Sequence, residues 1–271
     1  ALQHLSSCKS PQQMFGAIAK TYYAEKLGID PRKIVVVSIM PCTAKKFEAK
    51  RSEMNGAFKY WQKKMNLKDS ESFQDVDHVL TTREVARMMK EAGIRFTALP
   101  DEDFDQPLGI STGAGTIFGA TGGVMEAALR TAYEVITGQP LAKLEFESLR
   151  GLQGIKTAEV DLNGLKIKVA VASSLSKART LLEEVQAGKS PYTFIEIMTC
   201  PGGCIGGGGQ PIPTNTETRK KRMAALYQED QNLPIRKSHE NPVVQELYKT
   251  FLDKPLGHKS HQLLHTHYKK R

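Results

Sequence analysis

The chain lacks any apolar run long enough to cross a membrane. Its longest aliphatic stretches are IVVVSIM at 34–40 and KVAVAS at 168–173, whereas a spanning helix needs about 20 apolar residues. The opening residues, ALQHLSSCKSPQQ, contain no basic start followed by an apolar stretch, so no signal peptide is recognisable. We therefore expect no membrane span, and the cytoplasm is the favoured location.

Cysteine is scarce, with four residues among 271. The four are Cys8, Cys42, Cys200 and Cys204. So few cysteines in a chain of this size do not indicate a disulfide framework. Two alternatives remain for them, buried structural thiols or metal ligands.

Recognised motifs for binding nucleotides or nucleic acids are also absent. The glycine-rich run STGAGTIFGATGGVMEAAL at 111–129 fits neither G-x-G-x-x-G nor a Walker A loop. It ends at a predicted helix N-terminus, where a structural turn and a close approach to a ligand are equally good interpretations. The formal net charge is +9, with the densest basic clusters at 219–222 and 269–271. We interpret these clusters as solvated surface, expect no nucleic-acid partner, and consider an acidic electron carrier as a partner.

What the sequence does contain is an alternation of helical and extended patterns. Strands, the first of them buried, are predicted at 33–39, 77–81, 155–161, 165–172 and 192–198. Helices are predicted at 11–27, 83–92, 122–137, 175–187, 216–230 and 241–253. Asn163-Gly164 predicts a hairpin turn. The alternation is typical of an α/β fold, and the chain becomes mainly helical after Pro213.

Cys42 follows the end of the first predicted strand, in the segment IMPCTAKKFE at 39–48. Ligand pockets in open α/β sheets lie at the carboxyl ends of strands. Lys45 and Lys46 follow within one turn, and a cation beside a thiol favours the thiolate, the form that binds metals. On this segment alone, a buried structural cysteine with solvated lysines is the better interpretation.

The segment FIEIMTCPGGCIGGGGQP at 194–211 carries the strongest signal. A predicted strand leads into Cys200 and Cys204, and two thiols at this spacing converge on one metal centre if the turn between them is tight. Glycines such as Gly203 and Gly207 permit left-handed backbone, remove Cβ atoms that would block a bulky cofactor and offer N–H donors to cluster sulfurs. A disulfide would close a very small loop, and no zinc-finger partner pair lies nearby. A metal or cluster ligand role is therefore favoured.

These segments resemble signature motifs of the [FeFe]-type, or iron-only, hydrogenases. MPCTAKKFE at 40–48 and EIMTCPGGCIGGGGQP at 196–211 resemble the second and third motifs of that family. LSSCKSPQQMFG at 5–16 and GAGTIFGATGGVMEAALR at 113–130 are similar to further parts of its catalytic domain. The resemblance implies the catalytic-domain fold of that family, with sheets flanked by helices.

The resemblance also implies two domains. Residues 1–212 correspond to the C-terminal part of the H-cluster catalytic domain, and residues 213–271 to a small-subunit-like helical segment and tail that wraps it. The family's first cysteine motif has no counterpart here, so we expect the chain to be cut short on its N-terminal side. An upstream segment or another subunit would then complete the cluster site. The similarity to two-chain periplasmic enzymes leaves a periplasmic location open.

The implied cofactor is the H-cluster, a [4Fe-4S] cubane bridged through a cysteine sulfur to a two-iron subsite with CO, cyanide and a dithiolate amine. Cys42 and Cys200 are expected to ligate the cubane, and Cys204 to bridge it to the two-iron subsite. Lys45 is expected to donate a hydrogen bond to a cyanide. The other expected site residues are Ser6 on the proton route, Pro11 and Gln12 beside the diatomic ligands, and Met40, Phe118 and Met198 as a shield against water.

The implied activity is the reversible oxidation of H2 and reduction of protons, with ferredoxin or a cytochrome-type acceptor as electron partner. Cys8 is not expected to be the fourth cubane ligand, and Glu48 is expected to form a salt bridge with a neighbouring lysine. Two alternatives stay open: a non-enzymatic relative in iron–sulfur cluster assembly, and a sensory or electron-transfer module. The residues matching the surroundings of the two-iron subsite argue against the assembly relative.

The tail carries four histidines, His258, His261, His265 and His267. Their spacing places some of them on one helix face and invites a metal-site interpretation. Packing and capping by a segment that wraps the catalytic domain explain them better.

Overall fold

The computed structural model describes residues 2–268. Its helices are α1 (Pro11–Ile18), α2 (Ala24–Leu27), α3 (Ala44–Ala49), α4 (Gly56–Met65), α5 (Thr82–Glu91), α6 (Gly113–Thr116), α7 (Gly123–Thr137), α8 (Leu175–Gln186), α9 (Thr216–Asn232), α10 (Pro242–Leu247) and α11 (His258–Leu264). Its strands are β1 (Val37–Met40), β2 (His78–Thr81), β3 (Ile155–Leu162), β4 (Leu165–Ser173) and β5 (Phe194–Met198). Within the described range, every helix is too short or too polar to cross a bilayer.

These elements form two compact units. The first comprises the residues up to 109 together with those from 243 onward, and the second comprises residues 110–242. The second unit is thus a continuous insertion into the sequence of the first. The two ends of the insertion meet, because the side-chain amide of Asn241 donates a hydrogen bond of 2.8 Å to the carbonyl oxygen of Ile110.

The first unit contains a two-stranded parallel sheet, β1 with β2, in register from Val37 opposite His78 to Met40 opposite Thr81. The strand predicted at 33–39 is observed at Val37–Met40, so it is shorter and ends one residue later than expected. Its length is limited because its partner β2 has only four residues for pairing. It is also not buried: Val37 and Ile39 are 49% and 58% exposed. Successive residues of β1 point to opposite faces of the sheet, so Val37 and Ile39 share the uncovered face and Ser38 lies on the covered one.

Helices of the first unit pack around a hydrophobic cluster that joins α1 and α4 to the end of the chain. The buried members of this cluster are Ala17, Ile18, Tyr60, Phe251, Leu252 and Leu263. The prediction of one helix over 11–27 is confirmed, since α1 runs through a π-helical turn at Ala19–Tyr23 into α2. The buried residues of α11 are Ser260 and Leu263, so a leucine rather than a histidine supplies the packing of this helix.

The second unit is built on a three-stranded sheet in the order β3-β4-β5. Strands β3 and β4 are antiparallel. Asn163 and Gly164 form the turn between them with φ values of 58° and 92°, as a type I′ hairpin requires. The predicted hairpin is confirmed.

Helices cover both faces of this sheet. Strands β4 and β5 are parallel and are connected through α8. On one face, Val169 and Val171 pack in a cluster with Met125 of α7. On the other, Ala170 and Ala172 pack with residues of α8. The predicted α/β organisation is confirmed, because strands and helices alternate in layers.

The C-terminal segment divides its helices between the two units. Helix α9 packs in the second unit, where Met223 and Tyr227 join a cluster with Ile117, while α10 and α11 lie in the first. The helices predicted over 216–230 and 241–253 are confirmed, the second with a π-helical turn at Tyr248–Leu252. The predicted domain boundary at 212/213 falls within the second unit and stays a prediction.

A buried ion-pair network ties α9 to α7. Arg130 donates to Asp230 through both terminal nitrogens, at 2.8 Å each, and to Glu126 at 2.7 Å. Arg236 adds a hydrogen bond of 2.7 Å to Asp230, and Arg150 one of 2.6 Å to Glu126. The side chains of Arg130, Asp230 and Glu126 are fully buried, so each charge depends on its partners.

Candidate active site

Cys42 lies on the turn that follows β1 in the first unit, two residues before α3. It is partly exposed. Met40, at the end of β1, is partly buried against a hydrophobic cluster that includes Val36 and Val79. The strand thus delivers Cys42 to the carboxyl end of the sheet, as the sequence predicted.

Lys45 and Glu48 form a salt bridge on α3 beside this turn. The Lys45 ammonium lies 3.1 Å from each carboxylate oxygen of Glu48. Ser10 and Gln12 also donate to the same carboxylate, at 2.7 and 2.9 Å. The predicted pairing of Glu48 with a neighbouring lysine is confirmed. The hydrogen bonds from Ser10 and Gln12 to the Glu48 carboxylate hold the start of α1 next to α3.

Gln12 carries a buried acceptor for which residues 2–268 provide no hydrogen-bond partner. Its amide nitrogen donates to Glu48 and to the carbonyl oxygen of Lys45 at 3.3 Å, but its Oε1 atom is buried and unpaired. Pro11, at the first helical position, is exposed. Because a buried polar atom without a partner is costly, Oε1 of Gln12 suits a site that is completed by a bound group.

Ser6 and Cys8 lie on the exposed segment before α1. The Ser6 hydroxyl accepts a hydrogen bond of 3.2 Å from the backbone N–H of Cys8, and Cys8 pairs through its backbone with His265. The expected role of Ser6 on the proton route stays a prediction.

Cys200 and Cys204 share one loop of the second unit, after the end of β5. Gly202 and Gly203 between them have φ values of 86° and 93°, which side chains with a Cβ rarely adopt. A Cβ at Gly203 would stand 2.6 Å from the backbone nitrogen of Thr121. Both thiols are partly exposed, and the glycines fix the turn that separates them.

Backbone hydrogen bonds close this loop on itself. The N–H of Gly203 donates to the carbonyl oxygen of Cys200 at 3.0 Å, and that of Gly207 to Cys204 at 2.9 Å. These two N–H groups therefore shape the turn. Because both N–H groups donate within the loop, only the missing side chains of Gly203 and Gly207 still favour contact with a cofactor. That contact stays a prediction.

The loop is also anchored to the glycine-rich run before α7. The Thr121 N–H donates to the carbonyl oxygen of Gly202 at 3.0 Å, and the Gly202 N–H donates to the Ser173 hydroxyl at 2.9 Å. The run at 111–129 therefore supports the cysteine loop. Phe118 from this run is partly buried against a hydrophobic cluster, and Met198 at the end of β5 is also partly buried.

Two buried charged residues that the sequence analysis missed hold this support in place. Glu196 of β5 accepts hydrogen bonds of 2.7 Å from the N–H groups of Gly122 and Met125 at the start of α7. Burial raises the pKa of Glu196, against these hydrogen bonds. Lys156 of β3 donates to the carbonyl oxygen of Thr121 at 2.8 Å, and burial lowers the pKa of Lys156 to about 8. The sequence pattern that could have revealed them is a charged residue at an inward-facing position of a strand, Lys156 in β3 and Glu196 in β5.

The residues of each unit fit an iron–sulfur cofactor. Cys42, Cys200 and Cys204 are thiols, the ligand type that such clusters take. Gly202 and Gly203 add no side chain of their own to the Cys200–Cys204 turn, and the unpaired acceptor of Gln12 lies in the same unit as Cys42.

Two sequence families match the chain. Residues 1–208 match the iron only hydrogenase large subunit, C-terminal domain. Residues 216–271 match the iron hydrogenase small subunit. The two matches follow one another on a single polypeptide.

Individual relatives include two proteins named as hydrogenases and Protein NAR1. The chain is 55% identical over 269 residues to the NADP-reducing hydrogenase subunit HndD of Solidesulfovibrio fructosivorans, covering 98% of this chain and 43% of that protein. It is 43% identical over 274 residues to iron hydrogenase 1 of Clostridium pasteurianum, covering 99% and 45%. Protein NAR1 of Arabidopsis thaliana is 32% identical over 278 residues, covering 98% and 56%. The chain thus spans less than half the length of the two hydrogenases.

A solved structure has the same fold. An apo [FeFe]-hydrogenase HydA1 variant from Chlamydomonas reinhardtii matches with a TM-score of 0.79 and 44% identity, covering 98% of this chain and 70% of that one. The expected catalytic-domain fold is confirmed. The matches along the sequence, the shared fold and the two cysteine turns together show that the chain belongs to the iron-only hydrogenase family.

Proposed function

We propose that this chain contributes the H-cluster site of a hydrogenase that interconverts H2 with protons and electrons. The observation that carries the proposal is the loop of Cys200 and Cys204, whose turn depends on left-handed glycines packed against the backbone near Thr121. A loop restrained in this way presents its thiols at fixed positions, as a cluster site requires. The hydrogenases among the relatives support the same function.

In this proposal the cysteines hold the cofactor. Cys42 and Cys200 would hold the cubane part of the cofactor, and Cys204 would hold the part that carries the two-iron subsite. When bound, the group supplies the redox chemistry that splits or forms H2. The protein supplies ligation, orientation and a restricted environment.

Polar residues of the first unit orient the diatomic ligands. Lys45, held by Glu48, would donate a charge-assisted hydrogen bond to a cyanide. Pro11 and Gln12 would lie beside these ligands, and the buried Oε1 of Gln12 would serve as an acceptor toward the site.

Three apolar side chains keep water away from the site in this proposal. Met40, Phe118 and Met198 are each partly buried, so each is held by its own unit while part of its surface is free to cover a cofactor. Ser6 is exposed, which suits a residue that exchanges protons with bulk water. Residues outside this chain supply the remaining cubane ligand.

The electron partner is proposed to be an acidic carrier such as a ferredoxin. The formal net charge of +9 favours association with an acidic surface and makes that association sensitive to ionic strength.

Infrared spectroscopy tests the proposal most directly. The protein, with its natural flanking sequence, is matured with the two-iron cofactor and examined where bound CO and cyanide absorb, together with iron and sulfide analysis. Sharp CO and cyanide bands are expected in the wild type. They are expected to be lost in Cys204→Ala and kept in the matched control Cys8→Ala, because Cys8 is exposed on another segment.

Two results would count against the proposal. Iron and sulfide without CO or cyanide bands in the wild type would indicate a protein that holds a cluster alone, a result that would favour an assembly or electron-transfer role. Bands that persist in Cys204→Ala would show that this thiol does not hold the two-iron subsite.

A further inference from the structure

Three histidines of the C-terminal tail lie together in the first unit. The rings of His261 and His265 are stacked, with centroids 4.7 Å apart and planes 2° from parallel. The ring of His267 has its centroid 6.1 Å from that of His261. All three line a cavity of about 360 Å³. The proposed hydrogenase chemistry uses none of them.

The centroid separations of these rings are close to those of a metal-bound set, and the parallel rings of His261 and His265 must turn before their in-plane nitrogens can point at one ion. His261 lies in α11, and His265 follows the end of that helix with extended backbone, its N–H donating to the carbonyl oxygen of His261 at 3.2 Å. Imidazole nitrogens bind Zn²⁺ at about 2.0–2.1 Å, so two rings on one tetrahedral ion have centroids about 5 Å apart. The two measured separations lie on either side of that value. His261 and His267 are exposed, so both can rotate toward an ion without disturbing the core.

His265 is already oriented by a hydrogen bond. Its Nδ1 atom lies 2.9 Å from the Ser7 hydroxyl. Backbone hydrogen bonds fix the chain on either side of His265. The backbone N–H of Lys9 donates to the Leu264 carbonyl oxygen at 2.9 Å, and the backbone N–H of Thr266 donates to the Ser7 carbonyl oxygen at 2.7 Å. A partner on one ring nitrogen that leaves the other available is the usual arrangement of a metal-binding histidine.

The charges around the cavity are largely paired. Lys9 is buried against Asp75 at 2.9 Å. Glu53 is bound by Arg51, and Lys59 is exposed. Counting residues 2–268 alone, an anion in the cavity would therefore meet one cationic lining side chain without a buried partner, that of Lys59, whereas a divalent cation would meet three imidazoles.

We propose that His261, His265 and His267 form a binding site for a divalent transition-metal ion of the class that prefers imidazole ligands, such as Ni²⁺ or Zn²⁺. Three nitrogens would bind the ion, and water would complete the coordination. Binding would draw the exposed His261 and His267 toward the restrained His265. The site joins the tail to the segment that carries Ser7.

Calorimetric titration with Ni²⁺ near neutral pH tests this proposal, because nickel favours imidazole over the thiols elsewhere in the chain. His261→Ala and His267→Ala are each expected to weaken the site at least tenfold. His258→Ala is the matched control, since His258 is exposed on the same helix but outside the cluster. Circular dichroism melting of each variant checks that the fold is retained, and His261→Asn provides a second variant closer in size.

Equal nickel affinity in the wild type, His261→Ala and His267→Ala would overturn the proposal. So would an equal loss in His258→Ala, which would indicate unspecific binding by exposed histidines. Inorganic phosphate is titrated in parallel. Phosphate binding that disappears in His261→Ala, with nickel binding unchanged, would also overturn it and assign the cluster to anions.

Discussion

Replacing Asp230 by Asn removes one buried charge from the network between α9 and α7 while keeping the size of the side chain. Asp230 is fully buried and accepts two hydrogen bonds from Arg130 and one from Arg236. The amide that replaces the carboxylate cannot balance these cations. Arg130, also fully buried, then faces a reduced set of negative partners.

The expected cost follows from which partners remain. Breaking a buried ion pair by removing one member costs about 3–5 kcal/mol. Here Arg130 keeps Glu126 at 2.7 Å, and Arg236 keeps Glu145 at 2.8 Å with 21% of its side chain exposed. These remaining contacts reduce the loss, so we expect a decrease of about 3 kcal/mol in the free energy of unfolding, at the lower end of that range.

Urea unfolding followed by circular dichroism measures this difference. Glu217→Gln on the same helix is the matched control, because the side chains of Glu217 and Lys221 are 74% and 77% exposed and such pairs contribute little. A change in Asp230→Asn no larger than that of Glu217→Gln would refute the reasoning that the buried network stabilises the second unit.

The same variant has a defined pH dependence. Burial opposes ionisation of Asp230, but the hydrogen bonds from Arg130 and Arg236 outweigh it and lower the pKa of this carboxyl. A carboxyl with a lowered pKa stabilises the fold fully above its unfolded pKa of about 3.9, and that stabilisation is lost as the pH falls through the folded value. The difference between wild type and Asp230→Asn is therefore expected to shrink in acid, below about pH 4.

Three further predictions concern other residues. Burial lowers the pKa of Lys156 to about 8 in the folded state, whereas the unfolded value is about 10.4. Between pH 8 and about pH 10.4 the unfolded chain therefore binds more protons, and the free energy of unfolding measured in urea should rise with pH in the wild type. This rise should be smaller in Lys156→Met. Gly203→Ala should lower iron binding and the free energy of unfolding, because the added Cβ would meet the backbone of Thr121. Gly188 also has a positive φ, but nothing lies near the position of an added Cβ. Gly188→Ala should therefore show only backbone strain of about 1 kcal/mol. Two hydrogen bonds, with the larger effect from Lys237 and the smaller from the Leu141 N–H, lower the pKa of Glu134 to about 2. The contribution of the Glu134 carboxylate to the free energy of unfolding should therefore persist to below pH 4 and disappear toward pH 2 in acid unfolding.

Each of these has a clear contrary result. A rise with pH in Lys156→Met equal to that of the wild type would assign the rise to other groups. Equal effects of alanine at Gly203 and Gly188 would show that the close approach to Thr121 is easily relieved. Acid unfolding of Glu134→Gln that matches the wild type would mean that the carboxylate contributes nothing in this range.

Local signals allowed much of the fold to be predicted. The Asn163-Gly164 turn is specified by residues that tolerate positive φ, and α7 ends before Gly138, which has a φ of 67°, because glycine commonly terminates helices. The turn of Cys200 and Cys204 was recognisable because its glycines lie beside the thiols in sequence. In each case the deciding interaction spans only a few residues.

Long-range contacts were not predictable in the same way. The partners Arg130 and Asp230 are 100 residues apart, and Glu196 meets the start of α7 across 74 residues. Helix α4 was also missed, and it begins where Asp75 accepts the N–H of Ala57 at 2.8 Å. Nothing in the local pattern identifies such partners, because the tertiary fold alone brings them together.

The insertion of one unit within the other has a consequence for the order of folding during synthesis. All strands of the second unit, and the Asp230 that completes its ion network, leave the ribosome before the residues from 243 onward. The first unit still lacks Phe251, Leu252 and Leu263, which complete the hydrophobic cluster around α1 and α4. Since compact units fold as their residues become available, we expect the later-encoded unit to become protease-resistant first, with the earlier-encoded residues waiting for the end of the chain.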